Sequence, residues 1–156
     1  MRTPAPATRR GASLPWRTSP VAASRRGGSA QIADVLGYGE AVTKKGLNLL
    51  SGPGNDLVSA TALTAAGAHL ILFTTGRGTP FGAPAPTVKI STNTALFEKK
   101  RGWIDFNAGT VAQGESPDSA GDRLLDYVLA VASGERTSAE RRGAREISIF
   151  KDGVVL

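Results

Sequence analysis

Hydroxyl, glycine and cationic residues follow one another in residues 74–79, directly after an apolar run. Thr74, Thr75, Gly76, Arg77 and Gly78 offer hydroxyl groups, backbone N–H groups and one fixed positive charge. Glycine at these positions allows a positive φ and lets the backbone approach a ligand closely. A guanidinium can bind a carboxylate through two parallel hydrogen bonds. We therefore expect this segment to bind an anionic substrate.

Four further polar residues are candidates for chemistry. Lys89 could add a point charge or, if desolvated, act as a proton-abstracting base, and an outward lysine on a strand is the structural alternative. Asn93 could bind a substrate hydroxyl or cap a helix. Asp56 could hold a metal or act in acid–base catalysis, and helix capping is its simpler explanation. Asp105 fits a salt bridge as well as it fits metal binding.

Two predicted strands position this segment. The continuous apolar run 70–73 is typical of a strand buried on both faces of a parallel sheet. Val88 and Ile90 alternate with Lys89 and Ser91, which predicts a second strand. The prolines at 80, 84 and 86 stiffen the connection between the strands. A polar loop at the carboxyl end of a buried strand is where open α/β sheets bind their ligands.

The remaining patterns predict alternating strands and helices. Before the central loop we expect a short helix within 31–38, a strand over 46–50 and a helix over 57–66 that Asn55 or Asp56 caps. After it we expect a helix over 94–100, a strand over 103–107, a helix starting at Ser116-Pro117, an exposed polar stretch over 135–144, a strand over 146–150 and an Asp-Gly turn. With 46–73 as a strand–helix–strand unit, the fold class is α/β, a mainly parallel sheet flanked by helices in a Rossmann-like layering.

The net charge of +6 has a local origin. Residues 1–30 contain six arginines and no acidic residue, whereas the other 126 residues hold 13 basic and 13 acidic side chains. A general nucleic-acid role is therefore disfavoured. No apolar run is long enough to cross a membrane, and the absence of cysteine excludes disulfides and fits a cytoplasmic protein.

Residues 1–30 are predicted to be a disordered tail, because they carry almost no large apolar side chain. Three interpretations compete: an organellar transit peptide, a nucleic-acid-binding arm, and an accidental extension of the chain. We favour the last, because the segment lacks the apolar face of a transit-peptide helix. The folded domain is expected to occupy residues 31–156.

The sequence resembles the carboxy-terminal region of the galactarate/altronate dehydratases, also labelled altronate hydrolases. The resemblance covers residues 31–156, and its most specific part is FTTGRGTPFG followed by PTVKISTNT. It implies loss of water from a polyhydroxy acid to give a 2-keto-3-deoxy acid. It also implies a divalent metal, iron(II), whose ligands are expected outside this chain, and a homo-oligomer or a separate amino-terminal chain as partner.

The resemblance leaves two functional classes open. Family enzymes are about three times longer, so the chain is expected to be a carboxy-terminal fragment whose activity alone is in question. The first class is a sugar-acid dehydratase domain in which the residues named above bind and convert the substrate. The second is a non-catalytic anion-binding or oligomerisation module, in which the 74–93 region serves as scaffold or interface.

Overall fold

The computed structural model describes residues 28–149, which form two parallel β-sheets with helices packed against them. The strands are β1 (Ile32–Leu36), β2 (Leu47–Leu50), β3 (Ile71–Thr75), β4 (Thr87–Ser91) and β5 (Phe106–Asn107). Strands β1 and β2 pair with each other, and the second sheet has the order β3-β4-β5. The predicted α/β class with parallel strands is confirmed.

Residues 28–149 contain four α-helices: α1 (Asp56–Ala65), α2 (Thr94–Lys99), α3 (Pro117–Ala132) and α4 (Ser138–Arg141). Helices α1 and α2 connect strands, and α3 and α4 follow β5. A 3₁₀ turn covers Gly109–Gln113. The Asn55 side chain caps α1, and the Ser116 hydroxyl caps α3 directly before Pro117. The predicted helices over 57–66 and 94–100 and from 117 are therefore confirmed. Among residues 28–149, no helix is long and apolar enough to span a membrane.

The predicted helix within 31–38 is wrong, because Ile32–Leu36 is strand β1. Its apolar residues fit helical spacing, but Gly37 and Gly39 leave too short a segment for a stable helix. Pairing in parallel with Leu47–Leu50 supplies the backbone hydrogen bonds instead. Strand β2 confirms the predicted strand over 46–50.

The predicted strand–helix–strand unit over 46–73 is also wrong in one respect. Strands β2 and β3 lie in different sheets, and β3 pairs directly with β4 through the helix-free connection 76–86. Strand β3 is the edge strand, where Leu72 is 48% exposed, and β4 is the central strand, all of whose residues are buried. The apolar run of β3 predicted a strand buried on both faces, whereas β4 is the more buried strand.

The connection 76–86 belongs to the core. Phe81, Ala83 and Ala85 are buried and pack with Ile71 of β3 and Ala60 of α1 on one face of the sheet. Small side chains let this segment lie close under the strands. The connection joins the sheet at both of its ends. Gly76 follows the carboxyl end of β3, and the carbonyl of Pro86 accepts a hydrogen bond from Ile71 N.

The opposite face of the sheet packs against helix α3. Val88, Ile90 and Phe106 are buried against Val131, and Leu124 and Tyr127 cover their edge. Because side chains alternate along a strand, Lys89 points to the face that carries Phe81. The register places Lys89 beside Phe73 on that face.

The stretch 135–144 is exposed only in part, at residues 135–136 and 141–143. Thr137, Ser138 and Ala139 are buried, and Thr137 and Glu140 form a reciprocal capping box at the start of α4. Ser138 N donates a hydrogen bond of 2.6 Å to Asp105 Oδ1, and this contact holds helix α4 against the sheet. In residues 137–139, therefore, polar side chains accompany a hydrogen-bonded contact with the sheet rather than solvation.

The last described residues are mostly exposed and form no strand up to residue 149, contrary to the strand predicted over 146–150. Glu146 N donates to Gly82 O, and Glu146 Oε2 accepts from Gly82 N. The predicted strand over 103–107 is reduced to Phe106–Asn107. Phe150, the Asp-Gly turn and the predicted disordered tail lie outside the described residues, apart from exposed residues 28–30.

Candidate functional site

A pocket of about 590 Å³ lies where strand β3 ends and helix α1 begins. Five of the residues singled out in the sequence line it: Asp56, Thr74, Thr75, Gly76 and Arg77. The rest of the lining is Leu72, Phe73 and Thr79. The structure thus brings the acidic residue and the cationic segment to one place, at the carboxyl end of a parallel strand.

Hydrogen bonds at the end of the sheet shape the segment that carries Arg77. Thr75 O accepts from Thr92 N at 3.1 Å, and Thr75 Oγ1 accepts from Gly78 N at 2.9 Å. Gly78 has a φ of +80°, which favours glycine, whereas Gly76 does not adopt a positive φ. The expectation for the first glycine is therefore wrong. The turn after Thr75 needs only one left-handed residue.

Arg77 is exposed at the pocket, and its guanidinium forms no hydrogen bond or ion pair with any residue of the described part. Its backbone, in contrast, is held, because Lys100 Nζ donates to Arg77 O at 3.1 Å and to Gly78 O at 3.3 Å. A fixed backbone with five uncommitted donors suits bidentate binding of a carboxylate.

Asp56 is the first residue of helix α1, and its exposed side chain faces the same pocket. The capping role falls to Asn55, whose Oδ1 accepts from Leu57 N and Val58 N. Asp56 is thus not needed as the cap. The first turn of a helix favours a negative charge through the helix dipole, so the position is electrostatically suited to a carboxylate.

Asn93 lies beside the pocket and outside its lining. Its Oδ1 caps helix α2 by accepting from Leu96 N at 2.8 Å, and its Nδ2 donates to Gly76 O at 3.3 Å. Both polar atoms of the side chain are thereby engaged within the protein. The geometry gives Asn93 a bracing contact to the pocket wall.

Lys89 is fully buried and does not line the pocket. Its Nζ forms no hydrogen bond with the described residues and lies 5.3 Å from the centre of the Phe81 ring. Phe81 packs edge-on against Phe73, which belongs to the pocket wall. Burial, together with the nearby charge of Arg142, lowers the pKa of Lys89 to about 8.

Asp105 is a residue whose role the sequence left open. Its side chain is 0% exposed, Oδ2 accepts from Lys89 N at 2.8 Å, and Oδ1 accepts from Ser138 N and, at 3.4 Å, from Tyr127 OH. Burial and this carboxylate raise the pKa of Tyr127 to about 12. Asp105 thus ties the central strand to helices α3 and α4.

Sequence reasoning did not identify Lys100, Trp103 and Arg142 as neighbours of the loop. The sequence places Lys100 only at the end of the predicted helix over 94–100, and Arg142 only in the predicted exposed stretch over 135–144. Their contacts are long-range, since 62 residues separate Arg142 from Pro80, whose carbonyl it binds. Only the basic run Lys99-Lys100-Arg101 next to Trp103 could have drawn attention to them.

The residues of the described part do not offer a ligand set for the metal that the resemblance implies. Across 28–149, no group of three or more histidine, aspartate or glutamate side chains is placed to hold a metal ion. Asp56 and Asp105 lie in different places, one at the pocket and one fully buried beneath α4. We therefore derive no step of the chemistry through a metal.

Comparison with known proteins places this arrangement in context. The family model described as "D-galactarate/Altronate dehydratase, C-terminal" matches residues 19–155. Altronate dehydratase of Escherichia coli (strain K12) is 44% identical over 153 residues, and altronate dehydratase of Bacillus subtilis (strain 168) is 45% identical over 154. Galactarate dehydratase (L-threo-forming) of Escherichia coli (strain K12) is 37% identical over 134 residues.

These matches cover most of this chain but only part of each relative. They cover 98% of this chain for the two altronate dehydratases and 83% for the galactarate dehydratase. Most of residues 1–30 therefore aligns with the altronate dehydratases, a match that an accidental extension does not predict. The chain spans about a third of the length of these relatives, 31% of each altronate dehydratase and 26% of the galactarate dehydratase.

Proposed function

This chain belongs to the D-galactarate/altronate dehydratase family, as its carboxy-terminal domain, and on that premise we propose that it binds the carboxylate of a sugar-acid substrate during removal of water. The observation that carries the proposal is the uncommitted guanidinium of Arg77 in a pocket that Asp56 also lines. The relatives are named for altronate and galactarate. Both compounds carry a carboxylate followed by two hydroxyl-bearing carbons.

The reaction proposed is an elimination. A base removes the proton from the carbon next to the carboxylate, and the hydroxyl on the following carbon leaves with a proton as water. The resulting enol tautomerises to a 2-keto-3-deoxy acid. Negative charge accumulates on the carboxylate oxygens as the proton departs, so a guanidinium bound to them stabilises the transition state more than the ground state.

Five residues of the pocket have a proposed part in this step. We propose that Arg77 binds the carboxylate and that the hydroxyls of Thr74 and Thr75 and the N–H of Gly76 donate to neighbouring substrate oxygens. Asp56, which lines the same pocket, is our candidate for proton transfer. Lys89 lies behind Phe73 and Phe81, so this arrangement gives it no contact with a substrate in the pocket. Asn93 and Gly78 shape the loop.

A second candidate function is an anion-binding module without turnover of its own. It is favoured by one observation: the described residues provide a pocket with an uncommitted guanidinium but no grouping of metal ligands. On this alternative the chain binds the sugar acid, and proton transfer depends on groups from elsewhere. Both candidates share the carboxylate site.

The experiment that tests the proposal uses the full 156-residue chain with galactarate and with galactitol, which has the same hydroxyl arrangement but no carboxylate. We expect calorimetry to detect binding of galactarate and no binding of galactitol. The binding of galactarate should weaken as the salt concentration is raised. Formation of a 2-keto acid from galactarate or altronate distinguishes the enzyme from the binding module. Equal binding of galactarate and galactitol would contradict the carboxylate site.

A further inference from the structure

Two cations lie over one indole ring beside the loop that carries Arg77. Lys100 Nζ is 4.6 Å and Arg142 Cζ is 5.5 Å from the centre of the Trp103 ring. Both distances fall within the range of cation–π attraction. The two side chains come from distant parts of the chain, the end of helix α2 and the residue after helix α4.

The same two side chains hold three carbonyl groups of the loop. Lys100 Nζ donates to Arg77 O and Gly78 O, and Arg142 Nη2 donates to Pro80 O at 3.0 Å. Arg142 Nε also donates to Ser138 O, which fixes the guanidinium to helix α4. The loop over 77–80 is therefore bound from two helices at once.

From these contacts we infer that Lys100, Arg142 and Trp103, here called the loop clamp, are positioning residues that hold Arg77 in its binding geometry. The inference rests on the proposed function, because Arg77 is the residue being positioned. A lysine or arginine side chain loses considerable rotamer entropy when it is fixed. Stacking on Trp103 offsets part of that loss and leaves the donors directed at the loop.

Gly78 shows how closely the clamp contacts the loop. A Cβ added at this residue would lie 2.9 Å from Lys100 Cδ and 3.0 Å from Leu96 Cδ1. Its φ of +80° disfavours any other residue as well. The loop thus lies directly against the aliphatic part of the Lys100 side chain. Displacement of that side chain would therefore shift the loop and change the position of Arg77.

The test removes the Lys100 ammonium and keeps the length of the side chain. Lys100→Met retains an apolar stem against Trp103 and Gly78, and Lys99→Met is the matched control, an exposed lysine at the preceding position of the same helix. Lys100→Arg restores a cation with donors. All variants are made in the full chain with Trp16→Phe, so that Trp103 is the only indole.

Two readouts separate loop order from ligand binding. Amide hydrogen exchange over residues 76–82 and Trp103 emission report on the loop without any ligand. Calorimetric titration of galactarate reports on the Arg77 site. For Lys100→Met we expect faster exchange, altered emission and about tenfold weaker binding, and for Lys99→Met no change in any of the three. Lys100→Arg is expected to recover most of the affinity.

Each other outcome overturns the inference at a defined point. Unchanged exchange and emission in Lys100→Met would show that the ammonium does not hold the loop, whatever the binding result. Faster exchange with unaltered affinity would show that the clamp orders the loop but does not position Arg77. If neither the parent chain nor any variant binds galactarate, the proposed function fails and the positioning role fails with it, while the exchange data still score the clamp contacts.

Discussion

The side-chain amide of Asn93 joins the ends of two neighbouring strands, because its Nδ2 donates to Gly76 O at 3.3 Å while its Oδ1 caps helix α2. Gly76 follows β3, and Asn93 comes two residues after β4. One side chain thus couples the start of the Arg77 loop to a helix terminus. The capping role and the bracing role use different atoms, so different substitutions can separate them.

We predict that Asn93→Ala destabilises the protein by about 1 kcal/mol through loss of the cap and also weakens galactarate binding. Asn93→Ser keeps a hydroxyl that can cap helix α2 but is too short to brace Gly76. It should therefore retain most of the stability and still bind weakly. Urea unfolding and calorimetry measure the two effects. Normal binding by Asn93→Ser would show that the contact to Gly76 has no role in the site.

The buried ammonium of Lys89 predicts an unusual dependence of stability on pH. Its pKa is about 8 in the folded protein, against 10.5 ordinarily, because burial disfavours the charged form. Between these two values the unfolded chain binds more protons than the folded one, so this residue makes stability rise with pH across that window. Below about pH 8, burial of the charged Lys89 lowers the free energy of unfolding by its full amount, on the order of 3 kcal/mol.

We therefore expect Lys89→Met to be more stable than the parent chain at pH 7 and about equally stable above pH 10. Lys45→Met, which alters an exposed lysine, serves as the control and should not change this pH dependence. Denaturant unfolding at several pH values measures the difference. A gap between Lys89→Met and parent that stays constant from pH 7 to 10.5 would mean that the ammonium is effectively solvated in the folded protein.

Asp105 is predicted to be a main determinant of stability rather than of binding. Removing its carboxylate leaves Lys89 N and Ser138 N without their acceptor in a buried place. Asp105→Ala should destabilise the protein by about 3 kcal/mol. The exposed Asp122 provides the comparison, and Asp122→Ala should change stability by less than about 0.5 kcal/mol. Equal effects of the two substitutions on stability would show that the buried hydrogen bonds of Asp105 do not stabilise the protein.

Local sequence signals predicted the elements whose ends are encoded by nearby residues. Asn55, Asn93 and Ser116 each cap a helix through their own side chain, so the starts of α1, α2 and α3 can be read from residue types alone. The carboxyl end of β3 is recognisable to within two residues, because hydroxyl and glycine residues replace the apolar run from Thr74 and the strand ends at Thr75. That Asp56 and Arg77 line one pocket is seen only in the structure.

Features that depend on distant partners could not be predicted in this way. Lys89 alternates with apolar residues as an outward lysine would, yet it is buried because the 76–86 connection and α4 cover that face of the sheet. Arg142 lies in a polar stretch, and only the folded chain brings it to Pro80 and Trp103. Ile32–Leu36 forms a strand because a partner strand is available, which its own spacing does not reveal.

The most direct measurement of the central claim is calorimetric titration of galactarate and altronate into the full chain and into Arg77→Ala. Arg136→Ala is the matched control, because it removes the same charge from an exposed arginine outside the pocket. We predict that Arg77→Ala loses at least about 100-fold in affinity, as expected when a bidentate charge-assisted pair is removed, while Arg136→Ala binds like the parent chain. Equal binding by Arg77→Ala and the parent chain would contradict the carboxylate site.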